Sequence, residues 1–580
     1  MLLYTAYETG KIPHSEHPNP QCERDGWLCL NGEWELKRIN PDGKCSFSGK
    51  IIVPFSPETL LGGIGGEFIL NEEQSLVYKR TFLLNEEQTS GRVMLRFGAV
   101  DSRCSVAVNG VTVGSHACGF TPFSFDVTSV VKAGENSIEV TVIDDAFKVH
   151  GARGKQSKNR GTIWYTPQSG IYQTVWLEFS PTERIENLKI TPDAFNKSVK
   201  IAFDCKERVT AVVFDGVKEI LRESNNNEIE FKYDFILWSP ENPKLYTLLL
   251  TNPSGDRIKS YFGVRSFSIV TDKKGKKRLA LNGKPYFFHG LLDQGYYSDG
   301  IYTPATPEGY VCDILTMKKL GFNMLRKHIK VEPDLFYYYC DKYGMVVFQD
   351  MMNAGPYYYI VDTVLPTIGM KRGVSHKPTQ RRKDFFEREC RELCDLLYNH
   401  PSVCYYTIFN EGWGQYDADR LYRELKAYEP TRVWDATSGW FFEKESDVDS
   451  EHIYFRKIKL KAKAGRPLVL SEFGGYVYKV EGHSFNLDET YGYKTFDSAE
   501  SMTKGLCGMY LNEIVPAIKN GLNATVLTQL SDVEDETNGL VTYDRKHCKA
   551  EENRMRIIAR KLHAAMQKSC AEDQVPAPEE

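Results

Sequence analysis

The stretch VCYYTIFNEGWGQ, Val403 to Gln415, decides how this chain is read. Its apolar run ends on Asn410 and Glu411 and is followed at once by Gly412, Trp413 and Gly414. A short continuous apolar run bounded by glycines reads as a strand buried on both faces, the kind found in parallel sheets. Such a strand has no packing reason to end on a carboxylate. Either Glu411 is a solvated loop acid, or the strand holds it over something.

Working outward from there, similar runs recur: YFFHGLL, NMLRKH, MVVFQD, RVWDATS, HIYF, LVLSEFGG and NATVLTQLSD. Amphipathic stretches lie between them. In RRKDFFERECRELCDLLYNHPS, Phe386, Cys390, Leu393 and Leu397 fall on one face at helical spacing. Eight β-runs alternating with helices over about 300 residues predict a (β/α)8 barrel. In that fold the strand C-termini form the active site, so Glu411 and Glu472, ending the fourth and seventh runs, converge on one mouth.

Upstream the periodicity is that of β-structure alone. NSIEVTVID alternates at Ile138, Val140 and Val142, and VMLRFGAV and CSVAVNGVTVG follow the same pattern. Asn109-Gly110 between two such runs is a hairpin signal. A second set, SVKIAFD, RVTAVVFDG, IEFKYDF and LYTLLLT, suggests an immunoglobulin-like sandwich. The charged TDKKGKKR, Thr271 to Arg278, is a hairpin tip or a boundary. The expected fold class is therefore multidomain, with two N-terminal β-sandwich domains followed by a C-terminal TIM barrel. The expected units are 1–180, 181–270 and 271–570, with an acidic, Pro-rich disordered tail at 571–580.

The 580 residues carry a formal net charge of −4 with both signs interspersed, which excludes the basic stripe of a nucleic-acid binder. The start of the chain lacks a long apolar core, so neither a signal peptide nor a membrane anchor is expected. The 14 cysteines show no CxxC pair, and Cys340, Cys390, Cys394 and Cys404 sit in apolar surroundings. That usage fits reduced thiols in a cytoplasmic protein. A homo-oligomer is left open.

Two carboxyl groups astride a scissile bond are the requirement of glycoside hydrolysis. The sequence around this pair resembles glycoside hydrolase family 2, the family of β-galactosidases and β-glucuronidases, over nearly the whole chain. WLCLNGEWEL, SGIYQTVWLE, LWSPENPKLYTL and YFGVRSF look like its accessory domains, the first a jelly-roll-like sugar-binding sandwich. NHPSVCYYTIFNE is similar to its acid/base motif, and LVLSEFGG resembles its nucleophile motif. The resemblance implies a retaining exo-β-glycosidase with Glu411 as acid/base and Glu472 as nucleophile. It also implies that Asn410 holds the sugar 2-hydroxyl and that Tyr454 donates to the nucleophile.

Departures from the family pattern matter. Arg326-Lys327-His328-Ile329 places the histidine one residue early, so His328 either faces the sugar or stands behind it. LLDQGYYSDG replaces the family's His–Glu pair, leaving Asp293 and Gln294 to make other contacts. QDMMNAG, with Asp350 as a further candidate contact, lacks the glutamate that binds metal in large β-galactosidases. No metal or other cofactor is expected. Trp413 either stacks on a sugar or packs beneath its loop, and Tyr357, Tyr358 and Tyr359 lie in a long segment that could wall the site. Where β-glucuronidases carry Asn-x-Lys, this chain has Glu536, Thr537 and Asn538. The resemblance thus points to a neutral sugar, a β-galactoside or similar, with a β-glucuronide or a catalytically inactive carbohydrate-binding protein as alternatives.

Overall fold

The computed structural model describes the chain except for residues 1, 66–67, 145–151, 356, 366–376, 455, 461–464, 490 and 572–580. The expected tail lies outside the described residues, Ala571 apart.

Two antiparallel sheets form the first sandwich. One orders strands 27–29, 175–180, 92–97 and 123–126; the other orders 45–53, 32–39, 75–84, 134–143, 103–108 and 111–117. Alternation dictates what they bury: Ile138, Val140 and Val142 point into a core with Leu36, Val93, Leu95 and Val106. The Asn109-Gly110 hairpin forms, with φ of 51° and 80° at the two turn residues, the left-handed pair that a two-residue turn requires. A second, smaller sandwich follows from sheets 186–193/198–204/228–232 and 218–225/209–215/246–251/257–262. Arg24 joins the two sandwiches through buried ion pairs to Glu178 and Asp256, both at 2.8 Å.

TDKKGKKR is the tip of a hairpin in which Phe267–Thr271 pairs with Lys277–Leu281. The hairpin spans the expected boundary at 270, and Phe267, Leu279 and Leu281 pack with the barrel-strand residues Phe288, Met324, Val346 and Phe348.

All eight apolar runs become barrel strands: β1 Phe288–Asp293, β2 Met324–Lys327, β3 Val346–Asp350, β4 Val403–Asn410, β5 Val433–Ser438, β6 Asp449–Ile453, β7 Leu468–Gly474 and β8 Leu522–Thr528. Their parallel ladder runs β5-β4-β3-β2-β1-β8-β7-β6. β5 and β6 approach without a shared ladder, Ser450 Oγ donating to Thr437 O at 3.1 Å, so the barrel is nearly closed. Helices follow most strands. The segment Gln380–Leu397 buries Phe386, Cys390, Leu393 and Leu397 as its periodicity requires. One departure is the β5–β6 connection: residues 439–448 hold no helix, because they are fewer than the dozen or more that a helical crossover needs.

The NHPS segment before β4 anchors this barrel strand. Asn399 accepts from Ile190 N (2.8 Å) and donates to Leu188 O (2.9 Å), clamping the second sandwich to the barrel. His400 lies fully buried between Asp334 and Asp341. Burial alone would lower its pKa, but those two carboxylates raise it to about 9.

Candidate active site

Successive side chains on a strand face opposite ways, so Asn410 and Glu411 could not both face the barrel mouth on a regular strand. The backbone solves this at Glu411, whose φ is +51°, while its N–H donates to Ser438 O (2.9 Å). Gly439 completes the arrangement. Its φ is +107°, and a Cβ there would lie 3.1 Å from Glu411 Cγ and 3.2 Å from His452 Nδ1.

Arg326 organises the floor. Its Nε donates to Asp350 Oδ1 (2.9 Å), Nη2 to Asn410 Oδ1 (2.9 Å), and Nη1 to Glu472 Oε1 (3.1 Å) and Ser471 O (3.1 Å). Holding Asn410 by its oxygen leaves the amide N–H groups as donors. Tyr454 donates to Glu472 Oε2 at 2.5 Å and sits 3.0 Å from Thr528 Oγ1. Burial pushes the Glu472 pKa up, but the surrounding His452, His328, Arg326 and Lys155 side chains override it and hold it at about 2. Glu472 is therefore ionised throughout the neutral range. Carboxylate oxygens of Glu411 and Glu472 lie within 4.8 Å of each other.

Asp350 is a bracket: one oxygen holds Arg326, the other takes the Nδ1 hydrogen of His328 at 2.7 Å. Burial pushes its pKa up, but Arg326 and His328 hold it below the usual carboxylate range, so it only accepts. Burial and the neighbouring Lys155 ammonium lower the His328 pKa to about 4, leaving a neutral ring whose Nε2 is an acceptor.

Two expected contacts fall elsewhere. Asp293 joins a buried ion cluster, with Lys327 Nζ on Oδ2 (2.7 Å) and Gly295 N on Oδ1 (2.8 Å); Lys327 in turn reaches Glu332 (2.8 Å). Both oxygens of Asp293 are engaged, which removes it from the substrate contacts. Trp413 is 1% exposed, stacked against Trp164 (centroids 5.4 Å, 21°) and edge-on to Tyr357 (4.7 Å). It packs beneath its loop, and Trp164 takes the outer position. Tyr358 and Tyr359 are exposed.

Trp164 belongs to a loop of the first sandwich, 152–168, that lies across the barrel mouth. Arg153 bridges Asn353 after β3, Thr166 N donates to Glu534 (2.9 Å), Tyr165 OH bonds Glu536, and Arg160 pairs with Asp535 (3.4 Å) and Glu534 (3.6 Å). Asp532 pairs with Lys549 at 2.6 Å. The acids of the Ser531–Gly539 loop are thus bound to partners rather than presented to a ligand. The same loop from the sandwich carries Lys155, 8% exposed, whose ammonium makes no hydrogen bond or ion pair among the described residues. Lys327 and Lys330, by contrast, are both paired to Glu332 at 2.8 Å.

Among the described residues, Glu411, His452 and Glu472 are the one trio of ligand-type side chains close enough to share a cation. Their atoms already serve hydrogen bonds with one another, Arg326 and Tyr454, and the guanidinium beside them opposes a second positive charge. Among the described residues no helix is long and apolar enough to cross a membrane.

Similarities to known proteins agree with this architecture. At 26% identity over 390 residues, the chain matches a β-galactosidase of Priestia megaterium, covering 61% of this chain and 36% of that protein. A β-glucuronidase of Bacteroides fragilis matches at 24% over 371 residues, covering 58% and 49%. The matched region therefore spans between a third and a half of these relatives. Among solved structures, a β-glucuronidase of an uncultured Clostridium species superposes with a TM-score of 0.70 at 17% identity, covering 93% of this chain and 99% of that one. A family 2 β-galacturonidase from Eisenbergiella tayi gives 0.65 at 19%, covering 97% and 98%. Family models meet the chain in the order of its three structural regions: the sugar binding domain at residues 63–181, the central domain at 183–265 and the TIM barrel domain at 273–557. With sandwich, sandwich and barrel each matched in turn, the chain belongs to glycosyl hydrolases family 2.

Proposed function

We propose that this chain is a retaining exo-β-glycosidase acting by double displacement, with Glu472 as nucleophile and Glu411 as general acid/base. The observation that carries the reading is the spacing of their carboxylates. Oxygens within 4.8 Å suit the retaining class, whose carboxyl groups stand about 5–5.5 Å apart. An inverting enzyme needs about 6.5–9.5 Å to admit a water. Glu472, ionised and oriented by Arg326 and Tyr454, attacks the anomeric carbon while Glu411 protonates the leaving oxygen. Water activated by Glu411 then releases the sugar. Asn410, with its N–H groups free to donate, meets the 2-hydroxyl. We read the chain as units near 1–180, 181–270 and 271–570, the first lending its 152–168 loop as a wall that suits a pocket for chain ends.

For the sugar, we propose a neutral β-glycoside, a β-galactoside or similar. The Ser531–Gly539 loop offers no Lys or Arg, and the cations beside it, Arg160 and Lys549, are engaged by its own Glu534, Asp535 and Asp532. Buried neutral groups at the strand ends, both polar atoms of Gln294, Gln529 Oε1 and Thr537 Oγ1, lack partners and suit sugar hydroxyls. A second reading, a β-uronide, is favoured by one observation: Lys155, a buried cation without a partner, whose charge acts on His328 and Glu472.

Measuring kcat/KM for nitrophenyl β-galactoside, β-glucoside and β-glucuronide decides between them. The first reading expects at least a tenfold preference for a neutral sugar, roughly 1.4 kcal/mol of transition-state discrimination. A glucuronide preference that collapses in Lys155→Met would establish the second reading instead.

A further inference from the structure

His452 is 2% exposed on β6, two residues before Tyr454, and it stands between the two glutamates. Its Nδ1 lies 2.8 Å from Glu411 Oε1 and 3.5 Å from Glu472 Oε2. Its Nε2 lies 2.9 Å from Ser438 Oγ and 3.4 Å from Arg326 Nη1. A guanidinium nitrogen only donates, so the ring nitrogen it faces carries the lone pair and Nδ1 carries the hydrogen. The nearby hydroxyl fits this order. Ser438 Oγ, 2.9 Å from Nε2, can donate its hydrogen to that lone pair. Two donations in sequence, Ser438 to His452 and His452 to Glu411, thus end on one oxygen of Glu411.

We propose that His452 is a positioning residue that holds Glu411 by Oε1, so that the proton delivered to the leaving group resides on Oε2. The inference rests on the glycosidase reading above. An acid's proton helps only if it points at the departing oxygen, and a freely rotating carboxyl presents the wrong atom much of the time. His452 removes that freedom through a hydrogen bond that Oε1 accepts whether Oε2 is protonated or not. It also separates two carboxylates that, left face to face, would compete for a single proton. Gly439 leaves room for this contact, since a side chain there would press on both Glu411 and His452.

The inference predicts a leaving-group signature. Departure of 2,4-dinitrophenolate needs no proton, whereas departure of phenol or methanol does. His452→Asn and Ser438→Ala should each be compared with wild type on dinitrophenyl, phenyl and methyl β-glycosides of the accepted sugar, with thermal midpoints as a check on folding. For His452→Asn, kcat/KM should fall by about 10²-fold or more on the phenyl and methyl glycosides, in the range typical of lost general-acid catalysis. It should fall by no more than about fivefold on the dinitrophenyl glycoside, a change too small for lost general-acid catalysis. Ser438→Ala should show the same pattern at smaller amplitude. An equal loss on all three glycosides in both variants, or no loss in either, overturns the assignment. A wild-type protein inert on every aryl β-glycoside overturns the glycosidase reading itself, and this inference with it.

Discussion

Glu472→Gln should lose activity by several orders of magnitude while remaining folded. Glutamine keeps the shape but cannot form the glycosyl–enzyme bond. Each tenfold loss corresponds to about 1.4 kcal/mol of transition-state stabilisation, and covalent catalysis supplies several such steps. A variant that keeps more than a tenth of wild-type kcat shows that another group attacks. The substitution also carries a stability signature. The Glu472 pKa is depressed to about 2 in the folded chain, against an ordinary value near 4.5. A depressed carboxyl stabilises the fold above its unfolded pKa, and that contribution is lost as pH falls through the folded value. The thermal midpoint of Glu472→Gln should therefore lie below wild type at pH 6, and the gap should narrow as pH drops from 4.5 towards 2.

Arg326→Lys should be nearly as damaging, although no atom of Arg326 need touch a reacting bond. The guanidinium fork holds Asp350, Asn410 and Glu472 at once. An ammonium is a point charge that cannot reproduce those directions. Glu472 and the Asn410 amide would both lose their fixed orientation, and misplacement of about 1 Å at such a site can cost 10²-fold. We expect kcat/KM to fall at least 10²-fold. Removing the charge altogether, in Arg326→Met, leaves two buried carboxylates uncompensated, a loss of the order of 3–5 kcal/mol in stability. It should also raise the Glu472 pKa, moving the acid limb of the kcat/KM profile upward. Unchanged activity in the lysine variant would show that Asp350 and Tyr454 suffice to build the site.

How much of this was legible depends on where each residue's partners lie. Most of the barrel strands were readable because they are short, largely apolar runs ended by a glycine or polar cluster, a pattern that parallel sheets impose locally. Strand β6, Asp449–Ile453, shares only His452 and Ile453 with its run. Glu411, Asn410, Glu472 and Tyr454 stand at the ends of such runs, where the barrel brings strand C-termini together. The places of Asp293 and Trp413 were not legible because their partners arrive from afar: Lys327 on the next strand, and Trp164 from the first sandwich. Lys155 lay hidden for the same reason. Its loop reaches the barrel only through contacts such as Arg153 with Asn353 and Tyr165 with Glu536. The acids of Ser531–Gly539 are likewise met from afar: the same loop binds Glu534, Asp535 and Glu536, and Lys549 binds Asp532. His452 and Arg326 were within reach of a period-two reading. Each lies two residues before a residue already singled out, Tyr454 and His328, and so shares its face of the strand.

The most direct test of the double-displacement account is the configuration of the first sugar released. Proton NMR, begun as enzyme is added to whichever nitrophenyl β-glycoside it accepts, resolves the two anomeric signals before mutarotation mixes them. Two inversions at one carbon, the consequence of carboxylates this close, predict that the β-anomer appears first. Initial release of the α-anomer would mean a single displacement by water, and would contradict the roles assigned to Glu472 and Glu411.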